Sequence, residues 1–381
     1  MTAGVNGQGS TRGRVLDVIR AAGPVSRVEV SQATGLAQAS VTEAVKELLA
    51  DDFVREVGRG RSTGGRPRTL LALNPSGGYA IGAQLGWSRS AVVLADLTGT
   101  VVASATEDGA DGRPPESIVA GLAEDIARMR DIADAPVLGL GLAVPGPIDT
   151  PHGTAVQLPE SSPWADFSLT HALEESTGLR VVLDNDATAV AVGEYWTGGS
   201  DSSGVFATVY MEIGIGTGII VGGAPFRGSS GNAGEMGHIS VDMAGPTCHC
   251  GNRGCVELFA APAATEARYA SVTGRSLPYA RIAEAAERGE PEAMSVVSAS
   301  AEALAAALVS FANVVDPDRI LLAGPGFAHA ADVYVDAIQR RLDAAMFVRR
   351  THRIAVRTAG SSHLTGALGA ASLVLHDLVT P

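Results

Sequence analysis

Aromatic residues are scarce in this chain of 381 residues, at 4% of the total, and cysteine occurs three times. Three cysteines that lie together in one short segment fit a reducing compartment. No apolar run of about 18 residues is free of charged side chains, which argues against a membrane span. The first 14 residues have no apolar core followed by a cleavage pattern, so no signal peptide is expected. We therefore expect a soluble, cytoplasmic protein.

Charge is unevenly distributed along the chain. The whole sequence carries 28 basic and 41 acidic residues, a net charge of −13. Residues 1–75 hold ten basic and seven acidic residues, which leaves 18 basic and 34 acidic ones in the remainder. A mildly basic head on an acidic body indicates that nucleic acid, if bound, is bound by the head alone. Ordinary surface arginines would produce the same bias.

The head has the pattern of a helix-turn-helix. Apolar residues at helical spacing predict helices at residues 11–21, 26–33 and 38–49. A short turn with glycine joins the second helix to the third, which would lie in the major groove of DNA. Such patterns also arise by chance. Four polar residues of the third helix would read base edges: Gln38, Ser40, Thr42 and Lys46.

Two strands joined by an arginine-rich tip follow the third helix. Residues 53–57 and 69–73 read as strands, and residues 58–68 between them are rich in glycine and arginine. This pattern is typical of the wing of a winged helix. Arg66 and Arg68 would reach phosphates or a narrow minor groove from such a wing.

A cluster of potential metal ligands lies in the second half of the chain. The candidates are Cys248, Cys250, Cys255 and, ten residues before the first, His238. Three thiolates and one imidazole form a complete tetrahedral set for Zn²⁺, and a zinc ion with four protein ligands is structural. Three buried core cysteines are the alternative. His249 is a rival fourth ligand, although its place between two cysteines leaves it little freedom to reach the same ion.

From residue 81 onward, apolar strands alternate with helices, which predicts an α/β body. This part of the chain carries motifs that resemble those of the ROK family of sugar kinases and sugar-responsive repressors. The strongest is Cys-x-Cys-Gly-x-x-Gly-Cys-x-Glu, preceded by Glu-x-Gly-His. In order, the matching motifs are Pro-Gly-Pro-Ile-Asp at 145–149, Pro-Trp at 163–164, Asn-Asp at 185–186, Glu-x-Gly-His at 235–238, the cysteine motif at 248–257 and Asp-Pro at 316–317.

The resemblance implies two ribonuclease-H-like α/β lobes of the actin/hexokinase type around a sugar cleft. In that fold the last helix crosses back onto the first lobe. The expected divisions are a disordered tail at 1–10, a winged helix-turn-helix DNA-binding domain at 11–75, and a ROK body at 76–381, with lobe 1 at about 76–190 plus the helix at 361–378 and lobe 2 at about 191–360.

Asp186 stands where a predicted strand ends and a helix begins. Helix-end N–H groups would keep its carboxylate ionised, and in a kinase it would be the general base for a sugar hydroxyl. A plain helix N-cap is the alternative. His238 would bind zinc through one ring nitrogen and offer the other to the sugar. The resemblance implies that five residues surround the sugar: Asn185, Asp186, Glu235, His238 and Glu257.

Both phosphate-binding motifs of the family kinases are altered in this sequence. The first reads Asp-x-Gly-Gly-Thr in the kinases and Gln-Leu-Gly-Trp-Ser here, at residues 84–88. The second begins with Gly-Thr in the kinases, and here Glu212 and Ile213 take those places. A carboxylate where phosphate oxygens would lie repels them in a partly dry cleft, unless Glu212 points away. We therefore expect that sugar binding is retained, ATP use is lost and the protein is not an enzyme.

These observations predict a cytoplasmic, sugar-responsive transcriptional regulator, a repressor of carbohydrate-metabolism genes. It would bind operator DNA and a sugar or sugar derivative, work as a homodimer or homotetramer, and use a structural Zn²⁺ beside the sugar pocket, with no membrane partner. One alternative is an ATP-dependent sugar kinase of the hexokinase or glucokinase type with an appended DNA-binding head. Another is a DNA-binding protein whose body has lost sugar binding and serves only for assembly.

Overall fold

The computed structural model describes residues 10–60, 68–149, 152–155, 164, 167–198, 204–360 and 362–379. The predicted disordered tail, apart from Ser10, lies outside the described residues, and so does Arg66. The predicted tip of the wing is likewise described only at its two ends.

The head contains three helices and three short strands. Each predicted helix is present to within one residue at either end. Helix α2 begins with a capping box, in which Ser26 accepts from the Glu29 N–H and the Glu29 carboxylate accepts from the Ser26 N–H at 2.8 Å. It ends at Gly35, whose φ of 69° suits glycine. The elements are α1 (Thr11–Ala22), β1 (Val25–Ser26), α2 (Arg27–Thr34), α3 (Gln38–Ala50), β2 (Val54–Arg59) and β3 (Thr69–Leu73), and the antiparallel sheet has the order β1-β3-β2.

A five-stranded mixed sheet follows the head. Its strands are ordered β10-β7-β4-β5-β6, with β7 parallel to both β4 and β10 and the other pairs antiparallel. The elements of this region are β4 (Tyr79–Gln84), β5 (Arg89–Asp96), β6 (Val101–Asp108), α4 (Pro115–Ile132), β7 (Val137–Val144), β8 (Ile148–Asp149), β9 (Thr154–Ala155), α5 (Leu169–Thr177), β10 (Val181–Asn185) and α6 (Asp186–Thr197).

A second five-stranded sheet, ordered β13-β12-β11-β14-β15, forms the next layer. Its central strand β11 is antiparallel to β12 and parallel to β14. Short 3-10 helices occur at Pro75–Gly77, Met236–His238 and Pro325–Phe327. The remaining elements are β11 (Val205–Met211), β12 (Ile215–Val221), β13 (Ala224–Pro225), α7 (Glu257–Ala260), α8 (Pro262–Thr273), α9 (Tyr279–Glu287), α10 (Pro291–Val315), β14 (Arg319–Ala323), α11 (Ala331–Ala345), β15 (Ala355–Thr358) and α12 (Thr365–His376).

Helices α6 and α12 pack against each other and against strands of the two sheets. Glycines make this close approach possible. A Cβ atom at Gly82 of β4 would collide with the carbonyl of Ala367, and one at Gly141 of β7 with that of Ala370. The last helix therefore lies on the first sheet. Helix α6 crosses from the end of β10 to the second sheet, where Gly218 of β12 gives it room.

The head shares one hydrophobic core with the first sheet and α12. Buried Leu16 and Ile19 of α1 belong to the same cluster as Trp196 of α6 and Val379 near the C-terminus. Gly13 of α1 lies so close to the carbonyl of Val379 that any larger residue would clash. Helices α6 and α12 therefore contact the head through one continuous core.

Helix α10 has the length and composition expected of a membrane-spanning helix. Its most apolar stretch of 18 residues has a mean hydropathy of 1.6, and half of that stretch is buried. Val297, Leu304 and Leu308 of this helix are fully buried in the core of the second lobe. Its apolar composition is thus accounted for by packing against α9 and α11.

Candidate functional site

A cleft of about 450 Å³ lies between the two sheets, a volume in the range of small-molecule sites. Residues of both lobes line it, including the aromatic side chains of Trp87 and Trp164. The structure brings all five predicted sugar-site residues to this one cleft: Asn185, Asp186, Glu235, His238 and Glu257.

The junction of β10 and α6 sets the position of Asn185 and Asp186. Asn185 is the helix N-cap: its Oδ1 accepts from the Ala187 N–H at 2.9 Å, and its Nδ2 donates to the Gly146 carbonyl at 3.1 Å. Asp186 is the first helical residue, and its Oδ1 accepts from the Ala187 N–H at 2.7 Å. The capping role therefore belongs to Asn185, which leaves Asp186 for the cleft.

The ionisation expected for Asp186 is wrong at neutral pH. Burial raises the pKa of its carboxyl to about 8, helped by the negative charges of Glu212 and Glu235, while the Ala187 N–H lowers it. The effect of the helix-end N–H groups on the pKa is outweighed chiefly by burial, and then by the two carboxylates that face the same part of the cleft. A protonated Asp186 both donates and accepts a hydrogen bond, which suits a sugar hydroxyl.

An Asp186→Asn variant should lose part of the pH dependence of stability. A carboxyl with a pKa of about 8 in the folded state and an ordinary pKa of 3.8 keeps its proton in the folded state between those two pH values. The folded state then binds more protons than the unfolded state, so the free energy of unfolding falls as pH rises across that window. Between pH of about 5 and about 8, we expect the wild-type melting temperature to fall by about 2 °C more than that of Asp186→Asn. Parallel pH profiles would contradict the raised pKa.

Residues of the two altered kinase motifs form a hydrogen-bonded group that bridges the lobes. Gln84 of β4 donates through Nε2 to the Tyr210 hydroxyl and to Glu212 Oε2, both at 2.9 Å. The Tyr210 hydroxyl donates to the same Glu212 oxygen at 2.7 Å. Glu212 thus lines the cleft and does not point away from it. The sequence analysis missed Tyr210, which lies near the end of β11, two residues before Glu212.

Two further contacts join the lobes at the rim. The Arg227 guanidinium pairs with the buried Asp184 carboxylate at 2.6 Å. Burial raises the pKa of Asp184, and Arg227 opposes that rise. Asn232 exchanges two hydrogen bonds with the backbone of Ile148, at 2.7 and 3.0 Å.

The predicted metal ligands lie together beside the cleft. One ligand atom from each of them falls within 4.8 Å of all the others: His238, Cys248, Cys250 and Cys255. His238 Nδ1 lies 3.6 Å from Cys248 Sγ, and Cys250 Sγ lies 3.6 Å from Cys255 Sγ. The left-handed backbone of Gly251 and Gly254, with φ of 89° and 64°, folds the cysteine loop back on itself. This group of donors could hold one metal ion.

The Cys/His cluster lies directly beside the cleft, and the two have residues in common. His238 belongs to both, and Glu257 begins α7 two residues after Cys255. Glu257 Oε2 accepts from the Ile215 N–H at 3.2 Å, which orients its carboxylate toward the cleft. Burial raises the pKa of Glu235, and His238 opposes that rise. His249 also lines the cleft, with Nδ1 3.7 Å from Cys248 Sγ.

The predicted DNA-facing residues of α3 form part of the head's surface. Gln38, Ser40, Thr42 and Lys46 are all exposed, as is Arg68 directly before β3. The Thr42 hydroxyl donates to the Gln38 carbonyl at 2.7 Å, so its oxygen is offered outward as an acceptor. Lys46 pairs with Glu43 at 3.2 Å on the open surface, a weak contact that a phosphate could replace.

Comparison with known proteins extends these findings. A putative xylose repressor of Caldicellulosiruptor sp. is 29% identical over 371 residues, or 93% of this chain and 92% of that protein. A crystal structure of a ROK family transcriptional regulator, a homolog of the E. coli MLC protein, has a TM-score of 0.77 and 25% identity, and covers 97% of this chain and 96% of that chain. A ROK family glucokinase from Streptomyces griseus, in complex with glucose and AMPPNP, has a TM-score of 0.65 and 26% identity.

The glucokinase match covers 77% of this chain and 98% of the kinase, so the regulator accounts for more of the chain than the kinase does. The two sheets and their helices have the predicted fold of the actin/hexokinase type. The sequence model of the ROK family matches residues 80–377. Since this match takes in most of the chain, the protein belongs to the ROK family.

Proposed function

We propose that this protein is a cytoplasmic, sugar-responsive transcriptional regulator that represses carbohydrate-metabolism genes. One observation carries the proposal: the five predicted sugar-site residues line one cleft, and Gln84 and Glu212 stand at the positions of the phosphate motifs of the family kinases. A body that binds sugar without using ATP is suited to sensing. The match of a transcriptional regulator to 97% of the chain supports this proposal.

The head is proposed to be a winged helix-turn-helix domain at residues 11–75. Three helices and a β1-β3-β2 sheet support this reading. Helix α3 would enter the major groove, with Gln38 at its N-terminus suited to adenine and Ser40 and Thr42 to several bases. Lys46 and Arg68, together with Arg66, would contact phosphates or the minor groove. Two-fold related heads of a homodimer or homotetramer would read paired half-sites.

In the body, Asn185, Asp186, Glu235, His238 and Glu257 would bind the hydroxyls of a sugar. The cluster of three thiols and one imidazole suits Zn²⁺. A bound Zn²⁺ would supply structural support only, because all four of its positions would be filled by protein. It would fix the loop that presents His238 and Glu257 to the cleft.

Helix α6 is proposed to carry the signal from sugar to head. Its first residue, Asp186, lies in the cleft, and its last turn touches α1. The buried Arg20 donates to the carbonyls of Tyr195 and Trp196 at 2.7 and 2.8 Å, and the Tyr195 hydroxyl donates to Asp17 at 2.9 Å. A sugar that shifts α6 would therefore reorient the head. The change that the sugar makes in DNA affinity is set by the difference between the sugar's affinities for the two orientations of the head.

The alternative is an ATP-dependent sugar kinase with Asp186 as the catalytic base. The observation that favours it is the intact set of sugar-site residues, together with the match to a ROK glucokinase. It predicts sugar-dependent release of ADP that Asp186→Ala abolishes. A body that serves only for assembly predicts neither sugar binding nor ADP release.

Selection of fragmented genomic DNA by the zinc-loaded protein, with and without a panel of sugars, tests the proposed function. We expect enrichment of a few palindromic sites, altered by one sugar. A Gln38→Ala, Lys46→Ala double variant should lose the enrichment, while Glu124→Ala, an exposed acidic residue on α4, should keep it. No enrichment under any condition, together with ADP release, would make the kinase the better description.

A further inference from the structure

The cleft is strongly one-sided in charge. The carboxyl groups of Glu212, Glu235 and Glu257 line it, beside that of Asp186, which holds its proton at neutral pH. Among the described residues that line the cleft, none is a lysine or arginine. The chain between Pro147 and Leu169, both of which line the cleft, also contains no lysine or arginine in its sequence. Arg227, close to the rim, is already paired with Asp184.

Glu212 is held in place by neutral donors. Its Oε2 accepts from Gln84 Nε2 at 2.9 Å and from the Tyr210 hydroxyl at 2.7 Å, and neither donor carries a charge. The carboxylate is therefore fixed without being neutralised. Gln84 is almost fully buried, so this arrangement cannot swing aside without leaving buried polar groups unpaired.

A ligand that carries an anionic group would meet this fixed charge. A sugar phosphate brings about 1.5 to 2 negative charges at neutral pH. Binding sites that accept phosphate provide arginine, lysine or converging backbone N–H groups. Hydroxyl groups, by contrast, donate to carboxylates, and the faces of Trp87 and Trp164 can cover the apolar C–H surface of a sugar ring.

We propose that the cleft takes a sugar that carries neither phosphate nor carboxylate, and that Glu212, held by Gln84 and Tyr210, rejects the anionic forms. This inference rests on the proposed function and names the ligand class of the same site. It excludes effectors that have been phosphorylated on uptake, so the protein would report the free sugar itself.

Calorimetric titration of the full-length protein tests the inference. Xylose, glucose and N-acetylglucosamine are each compared with their phosphorylated form, and Trp87 gives an independent fluorescence signal at the cleft. In the wild type, we expect the neutral form of the sugar that binds to bind more tightly by a factor on the order of 100. In Glu212→Gln, this preference should fall by a factor of about 10.

Two control variants separate charge from fold. Glu212→Asp keeps the charge and should keep the preference. Glu124→Gln removes one negative charge from the exposed face of α4, outside the cleft, and should leave the preference unchanged. Equal or tighter binding of the phosphorylated sugar by the wild type would overturn the inference while leaving the proposed function intact. An unchanged preference in Glu212→Gln would overturn the role given to Glu212. Binding of no sugar in either form would contradict the proposed function itself.

Discussion

A Tyr195→Phe variant should bind DNA with an affinity that sugar changes much less than in the wild type. The Tyr195 hydroxyl donates to the Asp17 carboxylate of α1, at 2.9 Å to one oxygen and 3.0 Å to the other. Burial and the charge of Asp17 raise the pKa of Tyr195, so the hydroxyl stays a donor at any physiological pH. Removing it takes away a side-chain bond between the helix that begins in the cleft and the head.

The expected size of the effect follows from the usual range of coupling between two sites. Where sugar changes the DNA affinity of the wild type by about 5- to 150-fold, the change in Tyr195→Phe should stay within about threefold. Fluorescence anisotropy with a selected operator, with and without sugar, measures this directly. Titration with sugar alone should give a wild-type affinity, because Tyr195 lies at the far end of α6 from the cleft.

Arg20→Ala should act on the same contact more severely. The Arg20 side chain is 2% exposed, pairs with Asp17 at 2.8 Å and lies over the rings of Tyr195 and Trp196. Removing one partner of a buried ion pair costs about 3–5 kcal/mol, because the other charge stays buried. We expect the head to detach more readily from the body, seen as faster proteolysis after α3 and a lower melting temperature.

The matched control is Tyr279→Phe. This tyrosine is also buried, and its hydroxyl donates to the Gly326 carbonyl at 2.9 Å, but it lies in the second lobe away from the head. It should cost stability without reducing the response to sugar. If sugar shifts DNA binding in Tyr195→Phe and Arg20→Ala as it does in the wild type, α6 does not carry the signal.

The sequence was a good guide to everything local. The helices of the head follow from apolar residues at helical spacing, and Ser26 with Glu29 and Gly35 mark the two ends of α2 in the sequence itself. The Cys/His cluster was also readable, because three of its four ligands lie within eight positions and the fourth is ten residues away. Short spacing leaves the chain few ways to arrange such groups.

What the sequence did not reveal depends on contacts between distant residues. The raised pKa of Asp186 arises because Glu212 and Glu235, from the other lobe, meet it in a buried cleft. Gln84 and Tyr210 are 126 positions apart, and Arg20 and Tyr195 are 175 apart. A local sequence pattern does not predict contacts between residues so far apart in the chain. The helix N-terminus beside Asp186 predicted an ionised carboxylate, and tertiary burial reversed that prediction.

Loss of the proposed Zn²⁺ should weaken sugar binding and lower stability more than any other single change in the body. In Cys255→Ser, the removed thiol is fully buried, and its backbone pairs with Ser240 in the loop that carries His238. Structural zinc sites contribute on the order of 10 kcal/mol to the folding of the segment that holds them. We expect bound zinc to fall from about one equivalent to near zero, measured by elemental analysis of the purified protein.

Loss of the ion should also weaken sugar binding, because the Cys/His cluster and the cleft have residues in common. His238 would lose the ion that fixes its ring, and Glu257 begins the helix two residues after the missing thiol. We expect sugar affinity to fall by a factor on the order of 100, as happens when the groups that orient a site are removed. DNA binding without sugar should persist, because the head packs on α6 and α12 and not on the cysteine loop.

His249→Ala distinguishes the proposed ligand set from its rival. His249 lies next to the cluster, with its ring 5.1 Å from that of His238, yet it stands outside the four atoms that converge. This variant should therefore keep its zinc, whereas His238→Ala should lose it. If His249→Ala lost zinc and His238→Ala kept it, His249 would be the fourth ligand in place of His238. Retention of zinc in both variants would mean that the three cysteines hold the ion with a ligand from outside the chain. Retention in Cys255→Ser as well would show that the cluster is not the metal site, and Cys248 and Cys255 would then be buried thiols without a ligand role, beside the exposed Cys250.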